Sequence, residues 1–517
     1  LWIIDLGGDN LGTRKTPNVF NIQTPVAIAV GVRAAKPAPN KPAKVRYAKI
    51  EGVTREAKLA QLETVDDFAG FAWRECPDEW HKPFLPIGAG DFFEWPLIAN
   101  LFPFQRSGSM FGRAWPVAEN AATLNARWSN LIATPLADKA KAFHNNNYRS
   151  VQRGYPHHRT RVQMPPISGL TAKDPVPEVK QYLWRFLDRH FAFEDNRVND
   201  RMAGLLWDMA SDRQIFLMTM SSKVLGAGAG LCVSAAVPDK DAFCGRGGKD
   251  VIPLYRDAAG TEPNVTAGLL AALGKEHGST PSAEDLAAYV YALLGGQSYT
   301  KRFWNELETP GPRVPMTKDG AIFADAVKLG RKLIWLHTYA ARFQDVTQGD
   351  EVPNGKATTI KGVSSAPGHY PAEYAFDPAK REITVGDGRF GPVAPEVWDF
   401  EVSGLKVVQS WVGYRMKKRS GKKSSPLDEI RPERWTARMS DEFLELLWVL
   451  EATLAMEPDL AGVLDKAVSG PCFAASDLPQ PTADERKAPG SLGVAGGLLE
   501  IMGVDEESED EDQDDVE

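Results

Sequence analysis

The sequence predicts the closing strands of an α/β sheet, then a large α+β region, then a disordered acidic tail. Three observations carry this. The chain opens on short apolar runs, Leu1–Leu6 (LWIIDL) and Pro25–Val32 (PVAIAVGV), the pattern of strands buried on both faces of a sheet. Its long middle mixes β-like runs, Gly and Pro punctuation and a few strongly periodic helices. At the end, ten of the thirteen residues from Asp505 to Glu517 are acidic.

In chain order, Ala34–Lys44 (AAKPAPNKPAK) is too rich in Pro for regular structure and reads as a linker. From Val45 to Thr280 an irregular α+β region is expected. A helix starts after Ser282, which caps it with Asp285 three residues on; Leu286, Tyr289, Val290, Leu293 and Leu294 follow at helical spacing. Further helices are predicted over Gly320–Tyr339 and after Ser440, where Phe443, Leu444, Leu447, Leu450 and Leu454 share a face. Between them Ile383–Val402 reads as paired strands, with Trp398, Phe400 and Val402 alternating. From Ser476 onward, Pro, Gly and acidic residues predict disorder. The expected units are 1–55, 56–280, 281–345, 346–470 and the tail 471–517.

Composition fits an ordinary globular protein, with 43% hydrophobic and 25% charged residues. Four cysteines lie far apart with no CxxC, which excludes a thiolate zinc clasp and points to reduced thiols in a cytoplasm. No apolar stretch approaches the ~20 residues of a membrane-spanning helix. The net charge of −8 is the tail's doing, since the body without those ten acids carries +2. A near-neutral body binds nucleic acid if its bases share one face. The first residue is Leu1, so an upstream portion is expected.

Candidate sites are few. Gly226–Gly230 (GAGAG) superficially matches a dinucleotide turn, the basis of an oxidoreductase alternative, but lacks the strand, helix and acidic residue that such a turn requires; a glycine loop is expected. His157 and His158 lie among Arg153, Arg159 and Arg161, and adjacent histidines project apart, so a basic loop near phosphate is preferred to a metal site. There is no GxSxG elbow for a serine nucleophile. The run from Trp411 to Arg438 holds Arg415, Lys417, Lys418, Arg419 and five more cations, interleaved with Trp411, Tyr414 and Trp435. It reads as either a phosphate-neutralising stretch or a solvated loop.

A set of segments in fixed order resembles a known family. Asp5–Asn10 (DLGGDN), Asn18–Gln23 (NVFNIQ) and Val26–Val30 (VAIAV) are similar to the pattern DLxGN, then NVFxIQxGVAI, that closes adenine-specific methyltransferases of restriction systems; here Pro25 replaces Gly. Val45–Leu62 and Leu101–Arg113 continue the match. Trp184–His190 (WRFLDRH) is similar to YRPFDxR, with Arg185 and Asp188 matching outright, and Asp250–Tyr255 resembles FPLY. Ala287–Leu294 followed by Tyr299, Arg302, Phe303 and Pro312–Pro315 resembles YVYAxL with PRIP, and Leu333–His337 supplies the usual helix ending. Val397–Phe400, Val402–Gly404 and Trp411–Arg415 resemble the C-terminal specificity segment of type ISP restriction-modification enzymes.

The resemblance implies that residues 1–55 complete a Rossmann-like methyltransferase sheet and that the rest is a specificity region gripping double-stranded DNA. It implies that Phe20 and Ile22 pack while Asn18, Asn21 and Gln23 satisfy a loop, and that Asp188 and Tyr255 are structural. It marks Arg185, Arg189, Arg246, Lys249, Arg313, Trp411, Arg415, Lys417, Lys418 and Arg419 as DNA contacts; ion pairing of Arg185 and Arg189 with Asp188 is the competing reading. Methyl transfer in the family uses an Asn/Asp-Pro-Pro-Tyr/Phe loop that holds an extruded adenine. That tetrapeptide is absent, as is FxGxG; Pro165-Pro166 sits between Met164 and Ile167. No catalytic residue, metal or cofactor is therefore expected in this chain. S-adenosylmethionine is expected in the complete enzyme, along with upstream methyltransferase and possible nuclease and translocase portions. The alternative is a separate, non-enzymatic DNA specificity subunit.

Overall fold

The computed structural model of the protein describes residues 1–10, 12–33, 41–76, 84, 91–243, 250–344, 349–417 and 425–489. The opening run forms β1 (Trp2–Gly7), which pairs in parallel with β3 (Arg46–Lys49) and antiparallel with β2 (Val26–Val30). Antiparallel β4 (Arg74–Glu75) completes a mixed sheet of order β2-β1-β3-β4. Ile4, Leu6, Val19 and Ile50 form its core. Beside it, α1 (Arg55–Glu63) starts at Thr54, whose hydroxyl accepts from the Ala57 amide. Its Lys58 is buried with its ammonium donating to the carbonyls of Leu6, at 2.7 Å, and Pro17, at 2.8 Å.

Two expectations for this sheet need correction. β2 is not buried on both faces: Ala27, Ile28 and Ala29 are exposed, because β2 is the sheet's edge and no described element covers it. Phe20 and Ile22 do not pack either, being 53% and 47% exposed. Asn18 holds the loop instead, donating to Gly8 and Thr24 and accepting from the Phe20 amide.

The buried residues from Phe92 to Leu478 make one continuous core. It contains a four-stranded sheet built of β5 (Val117–Ala118), β6 (Val179–Arg185), β7 (Asp188–Phe193) and β10 (Val237–Pro238), in the order β10-β6-β7-β5. A second sheet joins β8 (Phe216–Thr219), β9 (Cys232–Ser234) and β11 (Asp250–Pro253). Two helices, α2 (Ala121–Ala133) and α3 (Leu136–Phe143), lie near the first.

The helical layer follows the sequence closely. α4 (Ala283–Leu294) begins with the Ser282–Asp285 capping box, and all its residues but Glu284 and Asp285 are buried. It packs on α5 (Gly320–His337), where a Cβ at Gly330 would meet the Ala288 carbonyl at 1.8 Å, so only glycine permits this approach.

The next segment holds four antiparallel strands, β12 (Thr358–Lys361), β13 (Tyr374–Asp377), β14 (Glu382–Val385) and β15 (Gly388–Gly391). The expected pairing is interrupted at Pro395–Trp398, a helical turn with proline in its first turn, before the hairpin β16 (Glu401–Val402) and β17 (Leu405–Lys406). Then come α6 (Val407–Arg415) and α7 (Ala437–Ser469).

Disorder does not begin at 471 or Ser476. Phe473 and Leu478 are buried, and the Arg256 guanidinium donates to the carbonyls of Glu485 and Lys487, strapping this segment to the body. The acidic run Asp505–Glu517 lies outside the described residues. Among those described, no helix is long and apolar enough to cross a membrane.

Candidate nucleic-acid interface

The segment similar to YRPFDxR is the turn between β6 and β7, with Leu187 at φ 60° and its carbonyl accepting from the Tyr339 hydroxyl at 2.8 Å. Asp188, 1% exposed, meets the Arg415 guanidinium at 2.9 Å and His190 Nδ1 at 3.1 Å. Burial alone would raise this carboxyl's pKa, but the charges and hydrogen bonds of Arg415 and His190 together outweigh it and hold the group below the usual range. Arg415 lies 3.5 Å over the Trp411 ring, which itself stacks on Phe443.

Arg415 and Trp411 are thus 4% and 2% exposed, which corrects their assignment as DNA contacts: together with Asp188 they tie α6 to the β6–β7 turn. Arg185 is paired with Asp239 at 3.1 Å, its side chain 12% exposed and packed over Trp184. Arg189 binds Glu445 and covers the Tyr339 ring at 3.6 Å. Neither arginine pairs with Asp188. Arg313, marked as a DNA contact between its prolines, is half-buried and donates to the Trp95 carbonyl at 2.7 Å. Tyr255 is buried, with its hydroxyl bonded to Glu284. Lys417 is exposed. Arg246, Lys249, Lys418 and Arg419 lie outside the described residues.

Sequence reasoning undervalued a different surface. No acidic residue occurs between Asp138 and Asp174, whereas seven lysines and arginines do. Within this stretch, residues 155–164 fold back as a narrow arm. The His157 amide donates to the Val162 carbonyl at 2.8 Å, the Met164 amide to the Tyr155 carbonyl at 2.9 Å, and Pro156 bridges Gln163. At its tip Arg161 adopts φ 59°, a left-handed conformation that bulky residues rarely take.

The arm is anchored through its turn. His158 Nε2 is 3.0 Å from the Glu194 carboxylate, and Arg159 reaches both Glu194 and Asp208, at 2.5 and 3.0 Å. Burial alone would raise the Glu194 pKa, but the His158 hydrogen bond and Arg159 lower it. The preceding turn is tied down as well. Arg149 donates twice to Asn196, while Asn146 and the buried Arg113 share the Asp200 carboxylate at 2.6 and 2.8 Å. Exposed on this frame are Asn147, Tyr148, Gln152, Arg153, Arg161 and Gln163.

The basic stretch after α6 returns to the same place. The Ser425 hydroxyl donates to the Ala142 carbonyl near the end of α3, and Arg127 of α2 donates to the Ile430 carbonyl at 2.9 Å. Residue 144, where the acid-free turn leaves α3, therefore adjoins segment 425–430. Arg434, a few residues on, is exposed.

The glycine run Gly226–Gly230 is filled by backbone. The Ser403 amide donates to the Ala227 carbonyl, and a Cβ at Gly228 would lie 1.8 Å from the Glu401 carbonyl oxygen. A cofactor phosphate has no room at this loop. Among the described residues no cluster of His, Cys, Asp or Glu could hold a metal ion.

The comparisons agree with this organisation. No curated protein matches the chain. Among solved structures it is similar to that of a DrdV–DNA complex, with 16% identity and a TM-score of 0.59 over 90% of this chain and 47% of that one. It is also similar to a nuclease-deletion mutant of the Type ISP restriction-modification enzyme LlaGI in complex with a DNA substrate mimic, with 14% identity and a TM-score of 0.57 over 90% and 36%. A third is the ATP-dependent Type ISP enzyme LlaBIII bound to DNA, with 14% identity and a TM-score of 0.57 over 90% and 30%. The chain thus spans less than half the length of each of these proteins. The family model for the Type ISP C-terminal specificity domain matches residues 100–446, so the chain belongs to that family.

Proposed function

We propose that this chain is the DNA target-recognition part of an S-adenosylmethionine-dependent, adenine-specific DNA methyltransferase in a type ISP restriction-modification system. The observation that carries the proposal is the specificity-domain match over residues 100–446. Three similar structures determined with DNA or a DNA mimic support it at the level of fold. The adenine-methyltransferase detail rests on the likeness of Asp5–Asn10 and Asn18–Gln23 to the segment that closes such enzymes.

In this reading the chain binds duplex DNA and positions it, while methyl transfer is done by a methyltransferase portion of the same enzyme that binds the cofactor. The chain's contribution is geometric and electrostatic. Exposed cations neutralise phosphates and fix register, and amide and guanidinium groups on rigid supports select the sequence.

The test is binding to random-sequence duplexes at rising salt, followed by sequencing of the retained fraction. The proposal expects affinity to fall linearly in log–log form with salt and one asymmetric motif to be enriched. Indifference to DNA at low ionic strength overturns it. The purified chain should transfer no methyl group to adenine; turnover above background would refute that part.

A further inference from the structure

We propose that the arm at residues 155–164 and the turn that precedes it are the base-reading element of this chain, with Arg161, Arg153 and Gln163 making the sequence-determining contacts. This inference rests on the DNA-recognition reading above and assigns it to a surface.

The first argument is charge accounting. Several exposed arginines elsewhere in the described structure are paired: Arg213 with Glu284, Arg302 with Asp465, Arg331 with Asp285, Arg389 with Glu382 and Arg438 with Glu442. The guanidinium groups of Arg153 and Arg161 have no hydrogen-bond or ion-pair partner among the described residues, and the stretch that carries them contains no acid. Two unpaired cations in an acid-free segment present a face that attracts an anion from outside the chain.

The second argument is chemistry. Arginine forks onto guanine, and Asn or Gln onto adenine, because each offers two hydrogen-bonding groups at the spacing of a base edge. Asn147, Gln152, Arg153, Arg161 and Gln163, all of those three types, are exposed here, beside Tyr148, Pro156, Thr160 and Val162. Lysine, which grips phosphate as a point charge, is missing between Lys141 and Lys173.

The third is shape and rigidity. A two-stranded ribbon is narrow enough for a major groove about 12 Å wide. This one is bolted to the body by His158 and Arg159 on Glu194, and its neighbour by the Arg113–Asp200–Asn146 group, whose two charged side chains are 0% and 1% exposed. Those ties fix the tip before DNA arrives, and the left-handed backbone at Arg161 is held in place by the amide bond to His157.

The experiment compares the full chain with R161K, R153A and Q163A by selection from random duplexes and by salt-dependent binding, with thermal melting to confirm folding. R161K keeps the charge and loses the fork. If Arg161 reads a base, R161K relaxes the preference at one position, binds the wild-type motif roughly tenfold more weakly, and leaves the salt slope unchanged. R153A and Q163A relax other positions. If the variants enrich the wild-type motif unchanged, whether or not affinity falls uniformly, the arm contacts phosphate or nothing, and this inference is overturned while target recognition stands. If the unmodified chain enriches no motif, target recognition itself fails and takes the inference with it.

Discussion

Asp188 shows what a buried charge does at the scale of one residue. Its carboxylate is held by Arg415 at 2.9 Å and by His190, with essentially no solvent access. Replacing it with asparagine strands the Arg415 guanidinium, and breaking a buried pair by removing one partner costs about 3–5 kcal/mol. Urea unfolding of D188N at pH 7 should show that loss. Because the folded pKa is depressed, the wild-type advantage is present above the unfolded value near 3.9 and fades as pH falls below it. A gap between wild type and D188N that does not narrow on acidification would contradict the assignment. A second buried group works in a higher window. His337 Nδ1 accepts from the Tyr291 hydroxyl at 2.6 Å, and its Nε2 donates to Thr453, whose own hydroxyl is donated to the Val449 carbonyl. Burial lowers its pKa to about 3, so the unfolded chain takes up a proton that the folded chain refuses. Stability should therefore drop by up to about 1.4 kcal/mol per pH unit as pH falls from roughly 6.5 toward 3. The slope in that window should flatten in H337Q.

At the scale of elements, the glycine loop gives the sharpest prediction. Gly228 has φ 92° and faces the Glu401 carbonyl across the bridge to Val402, so G228A combines a disfavoured backbone with a clash. A loss of at least about 2 kcal/mol is expected, read as a fall in melting temperature. An alanine variant as stable as wild type would mean that the seam between this loop and the β16–β17 hairpin is loose. The same site shows what the sequence could say. That a glycine run there is structural follows from its missing strand and helix context, but its partner, a hairpin some 170 residues away, leaves no local mark. The helix at Ser282 was legible because capping and periodicity agreed, and the one from Gly320 was legible as well. α7 illustrates the opposite case: Pro458 is a helix-breaking signal, yet burial of Leu460, Val463, Leu464 and Ala467 carries the helix on to Ser469. The basic run around Arg415 misled for a related reason. Spacing reveals that cations are close in sequence, whereas the burial of Arg415 depends on Asp188, which sits on a distant hairpin. By contrast, the arm at 155–164 had a readable signal in the absence of acids between Asp138 and Asp174, and only its folded shape was hidden.

At the scale of the whole molecule, charge is split along the chain in a way the fold leaves open to experiment. The net charge is −8, and removing Asp505–Glu517 takes away ten negative charges, leaving +2. The last described residues are strapped to the body by Arg256 on the Glu485 and Lys487 carbonyls and by Arg486 on Ala99 and Asn100, and the ten acids of Asp505–Glu517 follow them in sequence. Truncation after Val504 should therefore strengthen binding to duplex DNA. The mechanism is long-range, so the gain should depend on ionic strength: severalfold at about 0.05 M salt and negligible above about 0.3 M, as the screening length shrinks from more than 10 Å to less. Fluorescence anisotropy with a fixed duplex across that range checks it. The motif enriched from random duplexes should not change, since a diffuse field cannot tell one base pair from another. A truncation that alters the motif would show that the tail enters the base-reading surface directly, and one that leaves low-salt affinity unchanged would show that its charge is neutralised within the protein.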